Sequence, residues 1–178
     1  MRLSPMVQEQ SLMPSPEWTS WLTHKTALTE KLQHETGEAR LKLIQQIKTN
    51  CNWWDRFFLG ICEKNVIHRD VLMASQDQYC WFARSVIPLS TFDQNMVFFE
   101  RLKTESLGQM VFNNPVVKRD CLSHYFIDKN SQEYHWMTPE LRQNAPLLWV
   151  RYSRFLINEN FPFYLVEILL PDLLRIAK

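Results

Sequence analysis

The chain has 178 residues, 46% hydrophobic and 22% charged, which suits one ordinary globular core and excludes a disordered chain or two full domains. Its formal net charge is +1, so no global field steers it to nucleic acid or to a membrane surface. No run is long and apolar enough to cross a bilayer; the longest candidate, FPFYLVEILLPDLL, carries Glu167 and two prolines.

The first stretch, MRLSPMVQEQSLMPSP, is polar and lacks the apolar core of a signal peptide. Residues 1–14 therefore read as a loosely ordered extension of a single domain spanning residues 1–178. Ser15 and Pro16 form an N-cap and first-turn pair leading into a helix over EWTSWL. A second helix is expected from Thr26 to His34, with Gly37 just past its end. ARLKLIQQI fits a strand or a helix, because its apolar positions satisfy both periods in part. VIHRDVLMA and YCWFARSVIP are rich in branched and aromatic residues, and the short polar break SQDQ between them predicts a hairpin.

After Pro88, Ser90 or Thr91 is expected to cap a helix over FDQNMVFFERLK, with Met96, Val97, Phe99 and Leu102 as its inward stripe. SLGQMVF adds a shorter helical turn, and KRDCLSHYFID another strand. LLWVRYSRFLI and FYLVEILLP pair as a second hairpin across NENFP. Strands that neighbour in sequence, with helices between them, predict an α+β fold built on a mostly antiparallel sheet. The four cysteines, Cys51, Cys62, Cys80 and Cys121, form no CxxC pair and have no histidine cluster nearby. Reduced thiols in a cytoplasmic protein are expected, and no structural zinc. Three glycines do not make a phosphate loop.

Some charges fall where charges should not. With Gln76 and Asp77 as the hairpin turn, Arg69 stands opposite Arg84. Arg69 shares its face with Ile67, Val71 and Met73, and Arg84 shares its face with Phe82 and Val86. Two opposed arginines on an apolar surface destabilise a strand pair unless an anion or a buried carboxylate lies between them. The planar fork of a guanidinium suits a carboxylate. On the last strand, Glu167 alternates with Phe163, Leu165 and Leu169 and should also face the core. A buried Arg–Glu pair with no ligand would leave the same pattern, and pattern alone names no reaction.

Other residues carry weaker expectations. His68 falls on the face opposite Arg69 and reads as an outward or packing histidine rather than a catalytic one; His24, His34, His124 and His135 read as surface or loop residues. The aromatic run WWDRFF suits packing better than a platform for single-stranded nucleic acid, because few basic residues surround it. Arg151 and Arg154 fall on opposite faces of their strand, so one of them is able to face a pocket, although a solvated position is the default.

At these residues the sequence resembles the chorismate pyruvate-lyase family of ubiquinone biosynthesis. The resemblance rests on RDVLM, WFARSVIPLSTF, ESLGQMVF with KRD, LWVRYSRF and YLVEILLPD, which occur in family order between Arg69 and Asp172. LTEKL resembles a helix that covers the family's pocket. The resemblance implies an antiparallel sheet whose helical flaps close over a buried ligand in a monomer, with no metal and no organic cofactor. It implies that Arg69 and Glu167 are the catalytic and ligand-contacting side chains and that Leu28 and Leu107 contribute backbone contacts. Arg84 matches a second family arginine, preceded here by Ala83 where the family usually has glycine. The implied activity is loss of pyruvate from chorismate to leave 4-hydroxybenzoate. Arg69 would bind the ring carboxylate, Glu167 the ring hydroxyl, and Arg84 the departing enolpyruvyl group. The rival expectation is a non-catalytic effector-binding domain of the same fold, against which the chain shows no upstream helix-turn-helix segment.

Overall fold

The structure, a computed structural model, describes residues 12–177. The expected N-terminal extension lies mostly outside these residues. Helix α1 (Pro16–Leu22) starts as its sequence predicts, with the Ser15 hydroxyl accepting from the Trp18 amide. Helix α2 (Leu28–Thr36) starts two residues later than expected and stops at Gly37, whose φ of 87° is the left-handed conformation that closes a helix end. The ambiguous stretch is strand β1 (Arg40–Asn50). After the short helix α3 (Trp53–Phe57), strands β2 (Asn65–Ser75) and β3 (Gln78–Pro88) form the first hairpin. Helices α4 (Leu89–Gln94), α5 (Met96–Glu100) and α6 (Leu107–Phe112) follow. Strand β4 (Val117–Asp128) comes next, then the hairpin of β5 (Leu147–Ile157) and β6 (Phe161–Leu169), and α7 (Asp172–Ile176) closes the described chain.

The six strands form one antiparallel sheet in the order β1-β2-β3-β6-β5-β4. The expected α+β class and antiparallel sheet are both present. Each face carries its own apolar core. Val71, Met73, Trp81, Ala83, Phe155, Leu165 and Leu169 point to the side covered by α1, α2 and α6. Leu72, Phe82, Val86, Val150, Val166 and Ile168 point to the other, where Trp54 of α3 and Tyr134 pack on them. The central strands therefore read as near-continuous apolar runs, because alternation inward and outward vanishes when both faces are covered.

Gln76 and Asp77 occupy the first hairpin turn with φ of 48° and 60°. Two consecutive positive φ values match the right-handed twist of the flanking strands. The expected register holds only next to that turn. Ser75 pairs with Gln78 and Ala74 with Tyr79, but Met73 pairs with Trp81. Cys80 is an extra residue in β3, a β-bulge that shifts every later pair by one. Arg69 is thus opposite Ser85, and Arg84 is opposite Asp70. The expected Arg69–Arg84 juxtaposition does not form.

The long helix expected over residues 92–103 is also corrected. It begins at Leu89 without a side-chain cap and breaks at Asn95, whose φ and ψ of −131° and 35° are not helical. Ser90 and Thr91 do not cap it; Ser90 meets the Glu63 carboxylate, and Thr91 donates to the Pro162 carbonyl at 2.9 Å. The break turns Met96 and Val97 outward, 54% and 83% exposed, while Phe99 and Leu102 are buried. Phe99 stacks on Phe92 and meets Phe163 edge-on, which fixes the inward side of the segment through aromatic area.

All four cysteines are unpaired thiols. In the aromatic run 53–58, Trp54 is buried edge-on against Trp136, whereas Trp53 and Phe57 are exposed and stack on each other. Packing accounts for the buried half of that motif alone. Among the described residues no helix is long and apolar enough to cross a membrane.

Candidate active site

A cavity lies between the sheet and the helices on the α1–α2–α6 side. Val71, Met73, Trp81, Ala83, Phe155 and Leu165 make its floor apolar. The first residues of α2 and of α6 form the roof. These two elements touch closely: a Cβ on Gly108 would come within 3.3 Å of the Ala27 Cβ, so glycine permits that approach.

Three charged side chains reach into this apolar space: Arg69 from β2, Arg151 from β5 and Glu167 from β6. Arg69 is 1% exposed. Its Nη2 donates to the Leu102 carbonyl at 3.0 Å and to the Glu105 carbonyl at 3.4 Å. Its Nε is buried with no partner among the described residues, and no carboxylate there lies within ion-pair distance. Burial alone pushes its pKa down to about 10, so it remains a desolvated cation at neutral pH.

Glu167 and Arg151 are directly opposed across β5 and β6. Arg151 Nη1 donates to Glu167 Oε2 at 2.5 Å, and Arg151 Nη2 donates to the carbonyls of His24 (2.6 Å) and Thr26 (3.1 Å). The loop between α1 and α2 is thereby tied to the sheet through the same guanidinium that neutralises Glu167. The wall keeps an uncancelled positive charge at Arg69, the arrangement of a site awaiting an anion.

Of the residues expected from sequence, Leu28, Arg69, Leu107 and Glu167 come together around the cavity. Leu28 and Leu107 are the first residues of α2 and α6, where backbone amides lack intrahelical acceptors. Arg84 does not join them. The Cys80 bulge turns it to the other face, where its Nε and Nη2 each donate at 2.7 Å to the Asp70 carboxylate. Its guanidinium also lies 4.3 Å from the Trp136 ring centroid. The expected contact between Arg84 and a ligand in this cavity is therefore withdrawn. Of the two positions expected for His68, outward or packing, it takes the buried one, on the face opposite Arg69 and 3.1 Å from both Asp55 carboxylate oxygens. Among the described residues no three His, Cys, Asp or Glu side chains gather as metal ligands would.

Sequence reasoning left Arg151 as solvated by default. A signal was available: with the second turn centred on Glu159, Arg151 falls directly opposite Glu167, and it alternates with Trp149, Ser153 and Phe155.

A family model for chorismate lyase matches residues 6–176. The chain belongs to the chorismate lyase family. It is 31% identical over 153 residues to a Psychromonas ingrahamii protein named probable chorismate pyruvate-lyase, covering 85% of this chain and 81% of the relative. A Sodalis glossinidius chorismate pyruvate-lyase is 24% identical over 168 residues, covering 93% of this chain and 84% of that one. Among solved structures, PhnF from Mycobacterium smegmatis superposes with a TM-score of 0.58 at 9% identity, over 84% of this chain and 66% of that one. A GntR-family transcriptional regulator from Bacillus cereus does so with a TM-score of 0.52 at 14% identity, over 75% and 92%. These two likenesses show a shared fold.

Proposed function

We propose that the cavity beneath α2 and α6 is where this chain converts chorismate to 4-hydroxybenzoate and pyruvate, the reaction of its family, with Arg69 and Glu167 as the side chains that hold the substrate. The observation that carries the reading is the buried Arg69 guanidinium in an apolar cavity, its Nε without an acceptor and no carboxylate paired with it among the described residues, with the Glu167 carboxylate lining the same cavity.

Chorismate is a dianion whose ring becomes aromatic when pyruvate leaves. Aromatisation supplies the drive, so the protein's work is positioning and electrostatics. Arg69 takes the ring carboxylate, assisted by the main-chain amides of Leu28 and Leu107. Arg151 engages Glu167 Oε2 and leaves Oε1 to accept from the ring hydroxyl. Holding that hydroxyl orients the carbon that loses its proton. The bond from this carbon to hydrogen and the bond from its neighbour to the enolpyruvyl oxygen then break, and the proton ends on the methylene carbon of the leaving group to give pyruvate. The same reading has the protein acting as a cytoplasmic monomer on a small molecule, without nucleic acid or membrane partners.

Incubation of the purified protein with chorismate is expected to release 4-hydroxybenzoate, followed by its ultraviolet absorbance, and an equal amount of pyruvate. Tight 4-hydroxybenzoate binding without turnover would make the chain a ligand-binding module instead. For Glu167→Gln, which keeps one acceptor oxygen in place of two, kcat is expected to fall by about tenfold. A general base contributes on the order of 10²–10⁴-fold, so a fall of that size would give Glu167 the proton instead.

A further inference from the structure

The described residues contain four buried side-chain nitrogen or oxygen atoms without a hydrogen-bond partner: Arg69 Nε, Arg119 Nη1, Arg151 Nε and Ser153 Oγ. Buried polar atoms in folded proteins are nearly always satisfied, so such exceptions need an explanation. All four belong to residues on the cavity face of the sheet. Arg151 and Ser153 alternate with Phe155 along β5, and Arg119 of β4 is paired directly with Phe155. They divide into two groups: Arg69 stands alone on β2, and the other three cluster on β4 and β5, with β3 and β6 between.

The second group converges on one loop. Arg119 Nη2 donates to the Lys25 carbonyl at 2.5 Å, while Arg151 Nη2 takes the carbonyls of His24 and Thr26 on either side. The Arg119 guanidinium lies 5.1 Å from the ring centroid of Phe112, a cavity-lining residue. Burial and the neighbouring Arg151 charge both lower the Arg119 pKa, and Glu167 offsets this in part. Two like charges are thus held near one another, with the one carboxylate, Glu167, on the far side of Arg151. Counting Arg69, Arg119 and Arg151 against Glu167, the cavity and its β4–β5 end carry two uncancelled positive charges.

We propose that Arg119 and Arg151, with Ser153, form a second carboxylate subsite that takes the enolpyruvyl carboxylate of chorismate, opposite the ring-carboxylate end at Arg69. This deepens the chorismate reading and rests on it for the identity of the ligand. The arrangement fits the substrate's geometry. The enolpyruvyl ether sits on the ring carbon next to the one bearing the hydroxyl, and Arg151 sits next to Glu167, which holds that hydroxyl. The subsite also fills the role expected of Arg84 from sequence, which the bulge in β3 takes out of the cavity. Product and substrate differ here: 4-hydroxybenzoate has no second carboxylate and leaves the subsite empty.

The test compares two stable ligands by calorimetry on the wild-type protein and on Arg119→Gln. One is 4-hydroxybenzoate. The other is 3-(carboxymethoxy)-4-hydroxybenzoate, which adds an ether-linked carboxylate where chorismate carries its enolpyruvyl group. Arg119→Gln is expected to weaken the dicarboxylate at least tenfold and to change 4-hydroxybenzoate by less than twofold, with Arg119→Lys partly restoring the difference. The KM for chorismate should rise in parallel with the dicarboxylate Kd. Equal losses for both ligands would make Arg119 only a tether for the Lys25 loop and overturn the subsite, as would unchanged binding of the dicarboxylate. Wild-type protein that binds the dicarboxylate more tightly than the product but does not turn over chorismate would sink the lyase reading and leave the subsite standing.

Discussion

Replacing Arg69 with leucine is expected to lower kcat/KM for chorismate by about 10²–10³-fold while leaving the protein close to its original stability. The two halves of this expectation come from the same geometry. Removing one member of a buried, hydrogen-bonded charge pair costs roughly 2–5 kcal/mol of binding, and each 1.4 kcal/mol is tenfold in rate. Arg69 forms no such pair within the described protein, where it holds only the Leu102 and Glu105 carbonyls. The folded chain carries its desolvated charge without return, so leucine removes that penalty and adds apolar contact in the same space. Net change in folding free energy should stay within about 1–2 kcal/mol, the two lost carbonyl bonds offsetting the gain. Urea unfolding and steady-state kinetics on the same preparation separate the effects. Near-normal turnover in Arg69→Leu would remove Arg69 from the site, and a large loss of stability would make it a structural residue.

The reverse outcome is expected for Arg84→Ala. Asp70 is buried, with Arg84 on both carboxylate oxygens and Gln45 donating to Oδ2 at 2.7 Å. Taking away the guanidinium strands a carboxylate in the core, at a cost of about 3–5 kcal/mol. For a chain of this length that is on the order of 10 °C in Tm. Turnover per folded molecule should change by only a few fold, since Arg84 does not reach the cavity. Replacing both partners with apolar residues, as in Asp70→Leu with Arg84→Met, should recover most of the lost stability. A single Arg84→Ala variant that stays fully stable but loses activity would contradict the separation of the two faces.

These two arginines also mark what a sequence discloses. Arg69 and Glu167 were legible because strand side chains alternate strictly, so a charge spaced two residues from branched and aromatic neighbours must share their burial. The chain order of strands and the turn at Gln76 and Asp77 were legible for the same local reasons. Arg84 was misplaced because a bulge leaves no composition signature: Cys80 sits in an apolar run like any other residue of β3. Arg151 was underestimated because arginine is exposed by default, and only the register of a second hairpin puts it against Glu167. The helix after Pro88 failed where several apolar residues competed for the inside. Phe92 and Phe99 secured it, and the break at Asn95 let Met96 and Val97 go to solvent. That choice is tertiary, and helical spacing does not encode it.

The bulge at Cys80 has a consequence for how this sheet handles charge. It makes the sheet a partition: one side keeps a cation available for a ligand, and the other cancels its cation permanently against aspartate. The same strand paired as a regular ladder, with Cys80 taking a partner of its own, would set Arg84 opposite Arg69 and crowd both into the ligand's space, with Asp70 left facing apolar neighbours. Register, rather than composition, divides the binding charge from the scaffold charge: removing Cys80 itself would leave Arg84 opposite Asp70, whereas removing one residue between Trp81 and Arg84 would turn Arg84 into the ligand's space, even though the residue removed touches no ligand.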